Sequence, residues 1–173
     1  MKRIYLTLCI VFLVLSGCVS KYRVDAIEIP TASIPIGSHF YVMLSDDGQF
    51  GEKVYTGSGR MVSASVQRIL RAHGAEVTLA TQTEGLEQAV ETARSGNIAY
   101  VVLPTIIHWE DRATEWSGRP DRITMKYVIY NTTGGERLAS TTVSASSKWA
   151  TLGGDHPQDL VPQTFQDFLA QVF

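Results

Sequence analysis

The sequence predicts a single α/β domain, of the α+β kind, with one mixed sheet of about five strands and helices packed against it. Three observations lead there. Several short runs alternate apolar and polar residues, and two stretches between them repeat apolar residues at helical spacing. The run Ile98-Ala99-Tyr100-Val101-Val102-Leu103 is apolar on both faces, as a strand is when helices cover both sides of its sheet. The predicted element order is βαβαβββα.

The first strand spans about His39 to Ser45, where Phe40, Val42 and Leu44 alternate with Tyr41, Met43 and Ser45. Asp46-Asp47-Gly48 ends it, and a flexible loop runs through Gly51 and Gly57 to Gly59. Val62, Val66, Ile69 and Leu70 then form the apolar stripe of a helix from about Gly59 to His73, closed by Gly74 in a left-handed conformation. Val77 and Leu79 mark a short strand over Glu76 to Thr81. Thr81 and Glu84 have capping-box spacing ahead of a second helix, whose buried stripe is Leu86, Ala89, Val90 and Ala93 and which ends before Gly96. The two-faced apolar run follows. Pro104 lacks an N–H, so a bulge or a change of partner is expected there before Thr105-Ile106-Ile107 continues the strand. Ile123, Met125, Tyr127 and Ile129 share one face of the next strand, and a hairpin turn with Gly134-Gly135 leads into Arg137 to Ser147. That last strand is rich in Ser and Thr, so one of its faces should be wet. The chain closes on an amphipathic helix with the stripe Val161, Phe165, Phe168 and Leu169; Pro162 is tolerable if the helix starts near Asp159 and kinks it if the start is Pro157.

Ahead of this domain lies a different kind of segment. Lys2 and Arg3 are followed by the apolar run Ile4 to Leu15 and then by Leu15-Ser16-Gly17-Cys18. The run is too short to span a bilayer, which takes about 20 residues. The pattern resembles a bacterial lipobox. That likeness implies residues 1–17 as a signal peptide, cleavage before Cys18, and a diacylglycerol and an N-acyl lipid on Cys18, with no other cofactor. Several buried acyl chains anchor a protein stably where one does so only marginally. Val19 stands where an aspartate tends to retain lipoproteins at the inner membrane, which implies the outer membrane with the domain facing the periplasm.

Residues 18–38 contain Pro30, Pro35 and Gly37 without a sustained period and read as the lipidated N-terminus and an extended tether, leaving 39–173 as the globular domain. Cys9 and Cys18 are the chain's two cysteines, one removed and one acylated on this reading, so no disulfide is expected. The formal charge of −2 becomes more negative once Lys2 and Arg3 leave, which gives no electrostatic case for nucleic acid.

Chemistry concentrates in His108 to Arg122, which holds Trp109, Trp116, Glu110, Asp111, Glu115, Asp121 and three arginines. Tryptophan beside arginine is the composition of binding hot spots, and an indole can also stack on a sugar. The same residues can instead pin a long hairpin loop to itself through Trp packing and Arg–carboxylate pairs. Trp109, Arg112, Trp116, Arg119 and Arg122 are the candidate contact residues. Glu110 and Asp111 are adjacent and would point to opposite faces of a strand, which is not the facing pair a glycosidase uses. Gly57-Ser58-Gly59 could offer N–H groups to an anion, yet it lacks the Walker lysine and reads as a turn and helix cap. His39, His73, His108 and His156 have no metal-ligand spacing, and no G-x-S-x-G occurs. No catalytic or metal-binding residue is therefore expected.

The lipobox, the Gly57-Ser58-Gly59 helix entry, the tract Leu103-Pro104-Thr105-Ile106 to His108-Trp109-Glu110-Asp111-Arg112, then Trp116-Ser117-Gly118 and Pro120-Asp121 resemble an uncharacterised family of proteobacterial envelope lipoproteins. The order of elements is similar to the N-terminal domain of the Tol-system propeller protein and to lipoprotein activators of penicillin-binding proteins. The tether, the absence of catalytic spacing and the Trp/Arg loop together point to a non-catalytic accessory or protein-interaction module, joined to the membrane by its anchor and to another envelope protein by its loop. The alternative is a glycan-binding or hydrolytic domain acting on peptidoglycan through the segment His108 to Arg122.

Overall fold

The computed structural model describes residues 20–112, 119–147 and 156–173. Cys18 and Trp116 lie outside the described residues. In chain order the elements are β1 (Lys21–Glu28), β2 (His39–Val42), β3 (Gly48–Phe50), β4 (Lys53–Tyr55), α1 (Ser58–Ala72), β5 (Glu76–Leu79), α2 (Leu86–Ser95), β6 (Tyr100–Glu110), β7 (Arg122–Asn131), β8 (Arg137–Ser146) and α3 (Pro157–Leu169). Six strands form one mixed sheet in the order β1-β8-β7-β6-β2-β5, while β3 and β4 make a small separate hairpin. β2 runs parallel to both β5 and β6, and the remaining neighbours are antiparallel.

β2 is the branch point of the fold. The chain leaves it through α1 to reach β5 on one side and returns through α2 to reach β6 on the other, so the two crossovers cover opposite faces. Phe40 and Val42 therefore meet α1 and α3, whereas Tyr41 and Met43 meet α2. The larger core joins Val62, Val66 and Leu70 of α1 to Leu160, Phe165 and Phe168 of α3 over the inner faces of β7 and β8. Tyr127 is fully buried there, its ring 4.9 Å from that of Phe165 and its hydroxyl 2.8 Å from Thr164 Oγ1. Burial pushes that phenol well above its usual range, while the hydroxyl bond satisfies the one polar atom it would otherwise orphan.

The helical stripes, the two-faced apolar strand and the late hairpin stand where periodicity placed them. Gly74 has φ +83°, the left-handed geometry that ends α1. Other expectations are corrected. Within the segment read as a tether, residues 21–28 are β1, bonded to β8 along nearly their whole length. The loop after Asp47 folds into the β3–β4 hairpin. Thr81 does not cap α2, whose N-cap is Gly85; Glu84 instead accepts the Tyr41 hydroxyl, and burial, with that bond and the Glu84 charge, pushes the phenol up to about 12. β6 passes straight through Pro104, just beyond the last β2 pair at Val102, and its bulge falls between Ile106 and His108. Of the two starts left open for the last helix, α3 takes Pro157 and keeps Pro162 inside it.

Candidate functional site

The segment His108 to Arg122 occupies one end of the sheet, where β6 hands over to β7. Glu110 pairs with Arg122, Arg122 with Ser146 and Ser146 with Lys21, so four strands finish along this edge. The β3–β4 hairpin closes one flank. Gly48 lies so near Trp109 that a Cβ there would stand 2.5 Å from the Trp109 Cβ, and its N–H is held by Ser58 Oγ at 2.8 Å. Trp109 is consequently 2% exposed and belongs to the core. An indole sealed under a hairpin makes no contact with a partner and removes one of the two rings a sugar-stacking platform would use.

Glu110 is equally buried, with a side chain 3% exposed. A carboxylate at that depth needs a cationic partner, and Arg112 Nη2 makes an ion pair with Oε1, while His108 Nε2 lies 3.5 Å from Oε2. Arg112 therefore serves the interior, and its own N–H donates to Asp121 Oδ1 at 2.7 Å. Asp121 N–H donates in turn to Ser147 Oγ at 2.9 Å, fastening β7 to the end of β8. Burial raises the Asp121 carboxyl above its ordinary value, the Arg112 N–H opposes this, and the neighbouring Asp111 adds to the rise. Arg119 and Arg122 are exposed at the rim. Of the five expected contact residues, then, two are spent on the fold, two stand at the surface, and Trp116 falls outside the described residues.

One grouping was invisible to spacing. Asp111, Asp121 and His156 each bring a ligand atom within 4.8 Å of the others, an oxygen–oxygen–nitrogen set that a divalent cation can accept. The residue after β6, the residue before β7 and the residue ahead of α3 supply one each, so only the packing of α3 against the sheet end assembles them. The glycine-rich entry to α1 also has its answer: the Asp47 carboxylate receives the N–H groups of Gly57 and Gly59 at 3.0 and 2.8 Å and serves as the anion at that helix start.

A second feature of this end lies on the sheet face that α2 leaves bare. Lys21 and Arg122, then Arg23, Thr124, Ser144 and His108, line a shallow groove of about 520 Å³. Arg23 ion-pairs with Asp25 at 2.6 Å, and Asp25 also accepts from Ser144. The Ser144 hydroxyl, with Arg23 beside it, holds the Asp25 carboxyl below its ordinary value. Among the described residues no helix is long and apolar enough to cross a membrane.

Fold and site together define an α+β domain with a branched mixed sheet whose open end carries an ionic cluster. The chain belongs to the DUF4823 family, a domain of unknown function, whose model matches residues 32–172. Solved structures agree on the architecture. PelC from Paraburkholderia phytofirmans, described as a dodecamer, superposes with a TM-score of 0.65 at 17% identity over 89% of this chain and 97% of that one. Lipoprotein GNA1162 from Neisseria meningitidis gives 0.50 at 12% identity over 78% and 97%. The C-terminal domain of LpoB from Salmonella enterica gives 0.42 at 12% identity over 71% and 85%, too low to argue from. No curated protein matches the sequence.

Proposed function

We propose that the chain is a lipid-anchored protein of the bacterial cell envelope, held at the outer membrane by acylated Cys18, whose domain is a non-catalytic module acting by protein association. The observation that carries this reading is β1. All eight of its residues are exposed, yet Tyr22, Val24 and Ile27 face the same side as the buried Ala145, Val143 and Thr141 of β8. The core plane thus runs on past α3 as an apolar surface on which Val24 and Ile27 are exposed, which is how association surfaces look.

The opposite flank carries a second exposed apolar group, Phe50, Val54 and Ile107, on and beside the β3–β4 hairpin. Two different patches on opposite flanks favour head-to-tail contact between copies, the arrangement that closes into rings. The shared fold with PelC, itself described as a dodecamer, supports this reading, and so does the likeness to a meningococcal lipoprotein. Light scattering and crosslinking of the mature protein test it. Val24→Asp with Ile27→Asp should release monomers with an unchanged circular dichroism spectrum; assemblies of the same size in that variant would sink the assignment of this surface.

A further inference from the structure

A strand that starts at Lys21 changes what the anchor can do. A tether reaching residue 38 would let the domain roam, whereas Val19 and Ser20 alone separate Cys18 from β1. Three backbone steps span about 11 Å at most. Resting on the lipoprotein reading above, this means that an acylated Cys18 holds the Lys21 end of the sheet against the headgroups. The side chains gathered at that end then decide whether the contact is passive.

They are cationic on the bare face. Lys21 and Arg122 flank Ser146 in the terminal row of the sheet, Arg23 stands in the next row beside Ser144, and His108 faces the groove opposite Thr124. Asp25 neutralises Arg23, while Asp121 is turned inward onto the Arg112 N–H. Successive rows on one face lie about 7 Å apart, so Lys21, Arg122 and Arg23 fall within one headgroup layer of the anchor. Tyr22, between the two basic residues, puts an aromatic ring at the depth where such rings sit in membrane proteins.

We infer that this end of the sheet is a docking surface for anionic phospholipid headgroups, with Lys21 and Arg122 facing lipid phosphate, so that the domain stands upright on its membrane. The strands then point away from the bilayer. The β7–β8 turn at residues 131–137 would stand about 30 Å above it, given the ten residues of β8.

The mature chain offers no cysteine besides Cys18, so a fluorophore on an introduced cysteine is unambiguous. The acylated protein is reconstituted in phosphatidylethanolamine vesicles containing phosphatidylglycerol, with Ser146→Cys or Thr133→Cys labelled, and energy transfer to a headgroup dye is measured. Strong transfer from position 146 and weak transfer from 133 are expected. Neutralising Lys21→Gln and Arg122→Gln, or using phosphatidylcholine alone, should reduce the upright population, about fivefold for each charge removed. Equal transfer from both positions overturns the proposal. So does transfer from 146 that survives both the double variant and phosphatidylcholine, because the short anchor alone would then explain it. Mass spectrometry of the N-terminal peptide separates the two readings: a peptide without acyl mass overturns the lipoprotein reading, and this surface with it.

Discussion

β7 and β1 flank the same strand, β8, one on each side, and they are held by different forces. Along β7 the inward residues Ile123, Met125, Tyr127 and Ile129 are almost wholly buried under α1 and α3. Along β1 no residue is buried, and the strand rests on its ladder to β8 together with Arg23–Asp25–Ser144 and the Arg137–Glu28 ion pair at 2.8 Å. Burial of apolar surface supplies most of a domain's stability, whereas exposed ion pairs contribute little. The covered strand therefore builds the fold, and the uncovered one is available for contacts outside it.

Substitutions that strike the covered half should be the most costly. Phe165→Ala removes a fully buried ring packed at a tilt against Tyr127, and about 3–5 kcal/mol should be lost in urea unfolding; a loss below about 1 kcal/mol would mean that α3 is not the lid over β7. Gly59→Ala comes next. Its Cβ would stand 2.1 Å from the Ser45 carbonyl oxygen, so α1 must shift off the loop after β2, at about 1–3 kcal/mol.

On the uncovered side the same measurement should read much less. Val24→Asp and Ile27→Asp are each expected to change unfolding stability by about 0.5 kcal/mol or less while abolishing association. Hydrogen exchange should show amides of β1 opening well before those of β7; equal protection would erase the contrast. Smallest of all is Ser144→Ala. A carboxyl held below its ordinary value of 3.8 contributes stability above that value, and the contribution is lost as pH falls through the lowered one. The variant should be slightly less stable at neutral pH and lose less on acidification, as read from paired denaturation curves.

The contrast also explains what could be read in advance. Alternation in Phe40 to Leu44 and in Ile123 to Ile129, and the helical stripes around Val66 and Val90, report burial, and burial is written into residue type. β1 gave no such signal: its bulge between Val24 and Ala26 breaks the period, and both its faces are wet. The β3–β4 hairpin, at three residues a strand, is too short for a period to register. For the site, the density of Trp, Arg and acids in His108 to Arg122 marked the right end of the sheet, but residue type could not tell which side chains faced inward. Trp109 and Arg112 could serve a partner or pin the loop to itself, and the hairpin and the buried Glu110 claim them.

By itself the sequence determined the kinds of element from residue 39 onward and the apolar residues that would form the core. Each of these is a local property, carried by neighbours within a turn or a strand. The tertiary structure decided that β8 would accept β1 and that His156 would meet Asp111 and Asp121. Those outcomes depend on hydrogen-bonding edges and packed surfaces brought together across more than a hundred residues of chain, as in the bond from Thr141 to the Ala26 carbonyl, and no periodicity encodes them.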